Sequence, residues 1–202
     1  PIRSDSLVQD IAEKLSSIHS IPLKMLNNTT NGVDCLSSDK ALSWISSSET
    51  SWLPLNLPSP AFSAAFEWLR HNVKLYDNGP RSLVHGDYGL NNLLIEDERV
   101  TGILDWEHSH VGNPSYDLGY FHPMAETLAS WSLFLDAYAN TGAPMPDEDQ
   151  INYSVLLGAT RVGVMVCQVR SAFLNNQETG IASSIGIAGD YYDVAVIRIS
   201  NA

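Results

Sequence analysis

From Leu83 to Trp106 the chain reads L-V-H-G-D-Y-G-L-N-N-L-L-I-E-D-E-R-V-T-G-I-L-D-W, and the spacing of its polar groups restricts the fold more than any other stretch. His85-Gly86-Asp87 follows a short strand-like segment, Ser82–Val84. Asn92 comes five residues after Asp87, and Asp105 comes eighteen after it. Two apolar runs, Asn92–Ile95 and Val100–Leu104, are joined by Glu96-Asp97-Glu98-Arg99, which reads as a β-hairpin. Hairpin strands are antiparallel neighbours, so the start of the first and the end of the second lie on one side. Asn92 and Asp105 are therefore expected together, with Asp87 close by.

Those residue types suit phosphoryl transfer. The reaction leaves little covalent work for protein groups, and positioning and charge neutralisation dominate. One carboxylate must receive or orient the proton of an acceptor hydroxyl, a role for Asp87. Hard oxygen ligands must hold Mg²⁺ against phosphates, and that ion takes only one or two carboxylates. Asp105 and Asn92 supply such oxygens. Each residue taken singly has a plainer role as a turn, cap or strand-end group. The joint spacing is what favours the chemical one.

H-G-D-Y-G-L-N-N, followed by I-L-D-W-E and by G-N-P-S-Y-D-L-G, resembles the aminoglycoside phosphotransferase family, which is related to choline kinase. The resemblance implies a protein-kinase-like C-terminal lobe. By that resemblance Asp87 is the catalytic acid–base group, and Asn92 and Asp105 bind the metal. His85 is architectural, Asp117 braces the catalytic loop, and Glu107 assists metal or acceptor binding. The implied cofactors are Mg²⁺ and ATP (or GTP), and the implied acceptor is a small molecule with a hydroxyl group. Relatives of this kind phosphorylate aminoglycosides, macrolides, choline, homoserine or fructosamines, and fold does not choose among them. A non-catalytic, pseudokinase-like module is the rival reading; retention of all three polar groups opposes it. The loop residues Tyr88-Gly89-Leu90-Asn91, and Asn113 where an Asp is usual, depart from the family pattern without touching those groups.

The rest of the chain reads as helical, giving a mainly α protein with a small β-hairpin insert (α+β) and a single domain over residues 1–202. Leu7, Ile11, Leu15 and Ile18 recur at helical spacing, and Ile18-His19-Ser20-Ile21-Pro22 ends that helix. Asn27–Asp39 is loop-like, a short helix covers Lys40–Ile45, and the three prolines of Ser51–Pro60 read as a linker. Ser59-Pro60 is an N-cap followed by proline at the first helical position, opening a helix with the stripe Phe62, Phe66, Leu69 and Val73. Downstream, helices are expected over Tyr116–Phe121, Ala125–Asn140, Asp147–Asn175 and Ile185–Ile199. Gly142 terminates the second and Asp147 caps the third.

A formal charge of −12 argues against nucleic acid and is compatible with a cationic acceptor, although acidic surfaces also serve solubility. No apolar run looks long enough for a membrane helix, so no membrane role is expected. Cys35 and Cys167 form neither a disulfide framework nor a metal knuckle, which points to a reducing, cytoplasmic setting. His108, His110 and His122 are too few and lack cysteine partners for a zinc site. Asp147, Glu148 and Asp149 suit a helix start, and could also rim a cationic acceptor site. No Gly-rich nucleotide loop precedes a strand-borne Lys, so the β-rich N-terminal lobe of a kinase is expected to lie outside this chain. The chain then reads as a fragment that does not turn over ATP efficiently alone. Its lobe-docking face should be apolar and prone to self-association.

Overall fold

The computed structural model describes residues 4–28 and 38–175. Its elements run α1 (Asp5–His19), α2 (Ser38–Trp52), α3 (Pro60–His71), α4 (Lys74–Asp77), β1 (Ser82–Val84), β2 (Leu93–Glu96), β3 (Arg99–Ile103), β4 (His110–Gly112), α5 (Ser115–Leu128), α6 (Trp131–Asn140) and α7 (Glu148–Leu174). The protein is mainly helical with a small amount of antiparallel sheet. The chain divides into two compact units, Pro1–Ser37 with Leu75–Val155 and Ser38–Lys74 with Leu156–Ala202. The helix expected over Ile185–Ile199 and most of the loop at Asn27–Asp39 lie outside the described residues.

The first unit is built around α1. Ser4 caps it by accepting the Leu7 amide, and Asp5 places a carboxylate at the positive end of the helix dipole. Val8, Ile11, Ala12, Leu15 and Ile18 form one stripe and are buried with Leu83, Tyr88, Leu93, Leu118, Phe121, Phe134 and Tyr138. The stripe packs on α6 and on the small sheets. Polar ties hold it there as well. The Tyr88 hydroxyl donates to the Ile11 carbonyl at 2.9 Å, and buried Asp10 accepts the Val100 amide at 2.7 Å.

The expected hairpin is β2–β3, with Leu93 opposite Ile103, Glu96 opposite Arg99 and a register shift between Leu94 and Ile95. Its two-residue turn places Asp97 and Glu98 both at positive φ, 47° and 58°. That is the turn geometry matching the twist of adjacent strands, here without the usual Asn-Gly pair. A second sheet was not expected. β1 pairs with β4, Ser82 opposite Gly112 and Val84 opposite His110. Three residues of strand are too short to show a period, so only the partner reveals β4.

Two helix limits also differ from expectation. α5 runs unbroken through Pro123, because Leu118, Phe121 and Ala125 are buried along it and packing overrides the missing amide. The break falls at Ser130, whose hydroxyl caps α6 by accepting the Leu133 amide at 3.2 Å. Gly142, at φ 81°, follows α6 as expected. Asp147 and Gln150 form a reciprocal cap on α7: the Gln150 amide donates to Asp147 Oδ1 at 2.8 Å, and the Asp147 amide to Gln150 Oε1 at 3.1 Å.

In the second unit α2 extends to Trp52, into the expected linker. Trp52 stacks on Phe62 with ring centroids 4.2 Å apart. Phe62, Phe66, Leu69 and Val73 are buried as their spacing predicts. The Arg161 guanidinium lies over the Trp44 ring. α7 is long and apolar enough to cross a membrane by length and composition, which corrects the expectation drawn from its sequence. Tyr153 in the first unit and Val164 and Val166 in the second are buried along it, while Met165 and Leu174 are exposed. Cys167 is free and buried, and burial pushes its thiol up to about 11 although Arg170 opposes the shift. Native alkylation of Cys167 at pH 8, followed by peptide mass, should be about 10²-fold slower than in denaturant.

Candidate active site

The H-G-D segment leaves β1 through a turn only glycine takes without strain. Gly86 has φ 85°, and a Cβ there would sit 2.3 Å from the His108 carbonyl oxygen. The His85 side chain is buried and bridges two backbone segments. Its Nδ1 accepts the Asp87 amide at 3.2 Å and its Nε2 contacts the Leu104 carbonyl oxygen at 2.9 Å. A carbonyl only accepts, so the ring carries its hydrogen on Nε2.

Asn92 ends a single 3₁₀ turn, Leu90–Asn92, and enters β2. Its Nδ2 donates to the Asp87 carbonyl at 2.8 Å and to the Asp87 carboxylate at 2.9 Å. Its Oδ1 accepts from Asn91 Nδ2 at 3.0 Å, although Asn92 itself is buried. The Leu104 peptide closes the arrangement. Its N–H donates to the Asn92 carbonyl at 2.8 Å, while its own carbonyl receives His85. Asp105 follows at once, exposed, with φ 64° and ψ 62°. This left-handed conformation is one that Asp tolerates better than most residues. The hairpin therefore pairs the Leu104 peptide with that of Asn92, with Asp105 the next residue along, and His85 ties the Leu104 carbonyl to the Asp87 amide.

Asp117 lies below this loop on α5, fully buried. Its Oδ2 accepts the His85 amide at 2.7 Å and its Oδ1 accepts the Gly86 amide at 2.9 Å. Oδ2 also faces His19 Nε2 at 3.1 Å. Burial alone pushes this carboxyl up, but the His19 hydrogen bond and charge and the two amides outweigh it, and it sits below the usual range.

Glu107 is 72 % exposed and faces His108 at 3.7 Å. Among the described residues no hydrogen bond joins it to Asp87, Asn92 or Asp105. His110 Nδ1 meets the His108 carbonyl, and His122 stands edge-on to Trp131. Among the described residues no three His, Cys, Asp or Glu side chains converge to hold a metal. Asn113 has a backbone role: its Oδ1 accepts the Ser115 amide and its Nδ2 donates to the Tyr76 carbonyl, a bond an ionised Asp could not make.

Residues 1–152 match the model of the phosphotransferase enzyme family. The chain belongs to that family. Solved structures share the fold. One, assigned to the aminoglycoside phosphotransferases of Ralstonia eutropha, has a TM-score of 0.73 at 19% identity and covers 98% of this chain and 65% of its own. Choline kinase LicA from Streptococcus pneumoniae has a TM-score of 0.65 at 16% identity, covering 98% and 64%. Acyl-CoA dehydrogenase family member 11 from Pongo abelii is 30% identical over 156 residues, 73% of this chain but 19% of that protein. The chain thus spans about a fifth of the length of that curated relative.

Within this phosphotransferase fold, sequence reasoning missed three contributors. His19 was visible only as the end of a helix, Tyr138 only as a residue inside the helix expected over Ala125–Asn140, and Leu104 acts through its peptide alone. A buried histidine at a helix end, with two polar nitrogens to satisfy, was the one available signal.

Proposed function

We propose that this chain carries the acceptor-side and metal-side groups of a small-molecule kinase that moves the γ-phosphoryl group of ATP or GTP to a hydroxyl. One observation carries the reading: a continuous hydrogen-bonded path links Asp87, Asn92, the Leu104 peptide and His85, and sets Asp105 beside them. Asp87 orients the acceptor hydroxyl and takes its proton as the oxygen attacks phosphorus and the nucleoside diphosphate leaves. The carboxylate of Asp105 and the Oδ1 of Asn92 are hard oxygen donors of the kind that would hold Mg²⁺. When bound, that ion neutralises charge on the transferring phosphate. Glu107 is near enough in sequence to meet metal or acceptor from the rim.

The acceptor class rests on the family: an aminoglycoside-like or another small hydroxyl compound, with choline, homoserine and fructosamines as alternatives. The names of the curated relatives favour a second reading, a hydroxyl-bearing acyl-CoA. The negative charge of the chain favours a cationic acceptor instead. Leu94, Ile95, Leu104 and Trp106 are 38–50% exposed along the hairpin and its exit. That apolar face supports docking of a β-rich nucleotide lobe of the same protein, and self-association when uncovered. On this reading residues 1–202 alone phosphorylate no acceptor at a measurable rate.

The test is an acceptor screen on a polypeptide that joins this chain to its nucleotide lobe, reading ADP or GDP release with Mg²⁺. Asp87→Ala should lower turnover about 10²–10⁴-fold with nucleotide binding retained. Asp105→Ala should abolish Mg²⁺-dependent nucleotide binding. Undiminished transfer by Asp87→Ala sinks the proposal. Nucleotide binding without transfer to any acceptor supports the pseudokinase-like reading.

A further inference from the structure

Helix α5 touches the catalytic loop at three points, in the same order along both. Asp117 accepts the His85 and Gly86 amides at 2.7 and 2.9 Å. Phe121 packs against Tyr88 with ring centroids 5.7 Å apart. The sulfur of Met124 accepts the Leu90 amide at 3.3 Å. These α5 residues are spaced i, i+4 and i+7, which puts them on one face of the helix over about 10 Å. We infer that Met124 is a positioning residue for the proposed phosphoryl transfer, its sulfur fixing the Leu90–Asn92 turn that carries Asn92 to Asp87. Its effect on turnover rests on that reading of the reaction; its grip on the loop does not.

Leu90 opens the 3₁₀ turn, and Gly89 in front of it has no side chain with which to cap it. Amides at the start of a helical turn have no acceptor within the turn. The Met124 sulfur supplies one for Leu90. The turn passes the constraint on, because the Asn92 amide donates to the Gly89 carbonyl at 2.9 Å. Asn92 Nδ2 in turn donates to the Asp87 carbonyl at 2.8 Å and to its carboxylate at 2.9 Å. Asp87 is thus bracketed by two grips from one helix. Asp117 holds the two amides before it, and Met124 holds the turn after it.

A thioether is a weak acceptor, but its long unbranched chain adapts to irregular space. Met124 is partly buried and packs against the core of the first unit. The loop sits closely on it: a Cβ at Gly89 would fall 3.1 Å from Met124 Cε and 3.5 Å from its sulfur. The φ of Gly89, −135°, suits any residue, so glycine serves the close approach there and not the backbone conformation. Met124 therefore does two things for the loop, as acceptor and as floor, and substitution separates them. Leucine keeps the apolar volume and loses the acceptor. Glutamine keeps an acceptor at similar reach and loses the apolar bulk. Packing alone predicts that leucine stays nearer the parent; positioning through the sulfur predicts that glutamine does.

The deciding measurement is ¹H–¹⁵N NMR of the labelled chain and its Met124→Leu and Met124→Gln variants. Volume-conserving swaps such as Met→Leu are well tolerated in cores, so the leucine variant should fold. In it the Leu90 amide proton should move upfield and the Asn92 side-chain amide protons should shift, with the His85 and Gly86 amides unmoved. Met124→Gln should leave both signals near the parent. An unmoved Leu90 amide in Met124→Leu overturns the contact, and an unmoved Asn92 side chain overturns its transmission to Asp87. In the phosphotransferase assay on the chain joined to its nucleotide lobe, Met124→Leu should lower kcat about 10-fold at unchanged acceptor KM, as a displaced reacting group does. Met124→Gln should recover most of that loss. A loss carried by KM, or a glutamine variant slower than the leucine one, overturns positioning in favour of packing. If the parent transfers phosphate to no acceptor, the reading of the reaction fails, while the Leu90 and Asn92 signals still decide whether Met124 holds the loop.

Discussion

Asp117→Ala should lower the folding stability of the first unit by about 3–5 kcal/mol, the scale of leaving three buried donors unpaired. The substitution leaves three buried donors without an acceptor: His19 Nε2–H and the His85 and Gly86 amides. Each such donor is costly because water cannot reach it. Urea unfolding should show a lower midpoint at unchanged slope, and a loss below about 1 kcal/mol would mean that the loop has other anchors. The same group sets a pH dependence. Its folded-state pKa lies below the unfolded value, so its contribution is full above the ordinary carboxylate range near 3.9 and is lost as pH falls through the lower folded value. Acid unfolding below about pH 4 should therefore be steeper in the parent than in Asp117→Asn.

Gly119→Ala should be the other severe change. A Cβ at Gly119 falls 2.4 Å from the Ser154 carbonyl carbon, 2.5 Å from the Val155 nitrogen and 2.6 Å from the Ser154 oxygen. These are backbone atoms of α7, so no side chain can swing aside, and α5 must move off α7. That movement also strains the Ser115–Ser154 hydroxyl contact at 2.8 Å. Overpacking of this kind costs about 3 kcal/mol, or about 6–12 °C in Tm for a chain of this size. Gly142→Ala is the control. Its φ of 81° makes alanine unfavourable, but nothing lies within 4 Å, so only the backbone term of about 1–2 kcal/mol remains. Equal losses at the two sites would show that the α5–α7 approach is softer than its geometry implies.

Both predictions concern α5, which carries Asp117 and abuts α7. The sequence already placed Asp117 by its motif, Tyr116-Asp117-Leu118. It did not show what Asp117 grips. The amides of His85 and Gly86 are backbone groups, identical in every residue type, and only the turn at Gly86 aims them. The helix limits divide in the same way. Ser59, Asp147 and Gly142 act locally and were legible one by one. The helices expected over Tyr116–Phe121 and Ala125–Asn140 divide elsewhere, because the burial partners that carry α5 through Pro123 come from other elements.

What the sequence alone determined is the local chemistry: which residues bear carboxylates and amides, the existence of the hairpin that folds β2 onto β3, and the helical stripes. These depend on spacing along one segment, so one segment suffices to reveal them. Tertiary structure decided the β1–β4 pairing, the clamp on the Leu104 peptide, and the meeting of His19, Asp117 and Tyr138. The last brings together α1, α5 and α6, with 98 residues between His19 and Asp117 and 119 between His19 and Tyr138. No periodicity spans such distances. The hydrophobic packing of α1 on α6 closes them, and burial then compels each polar atom to find a partner.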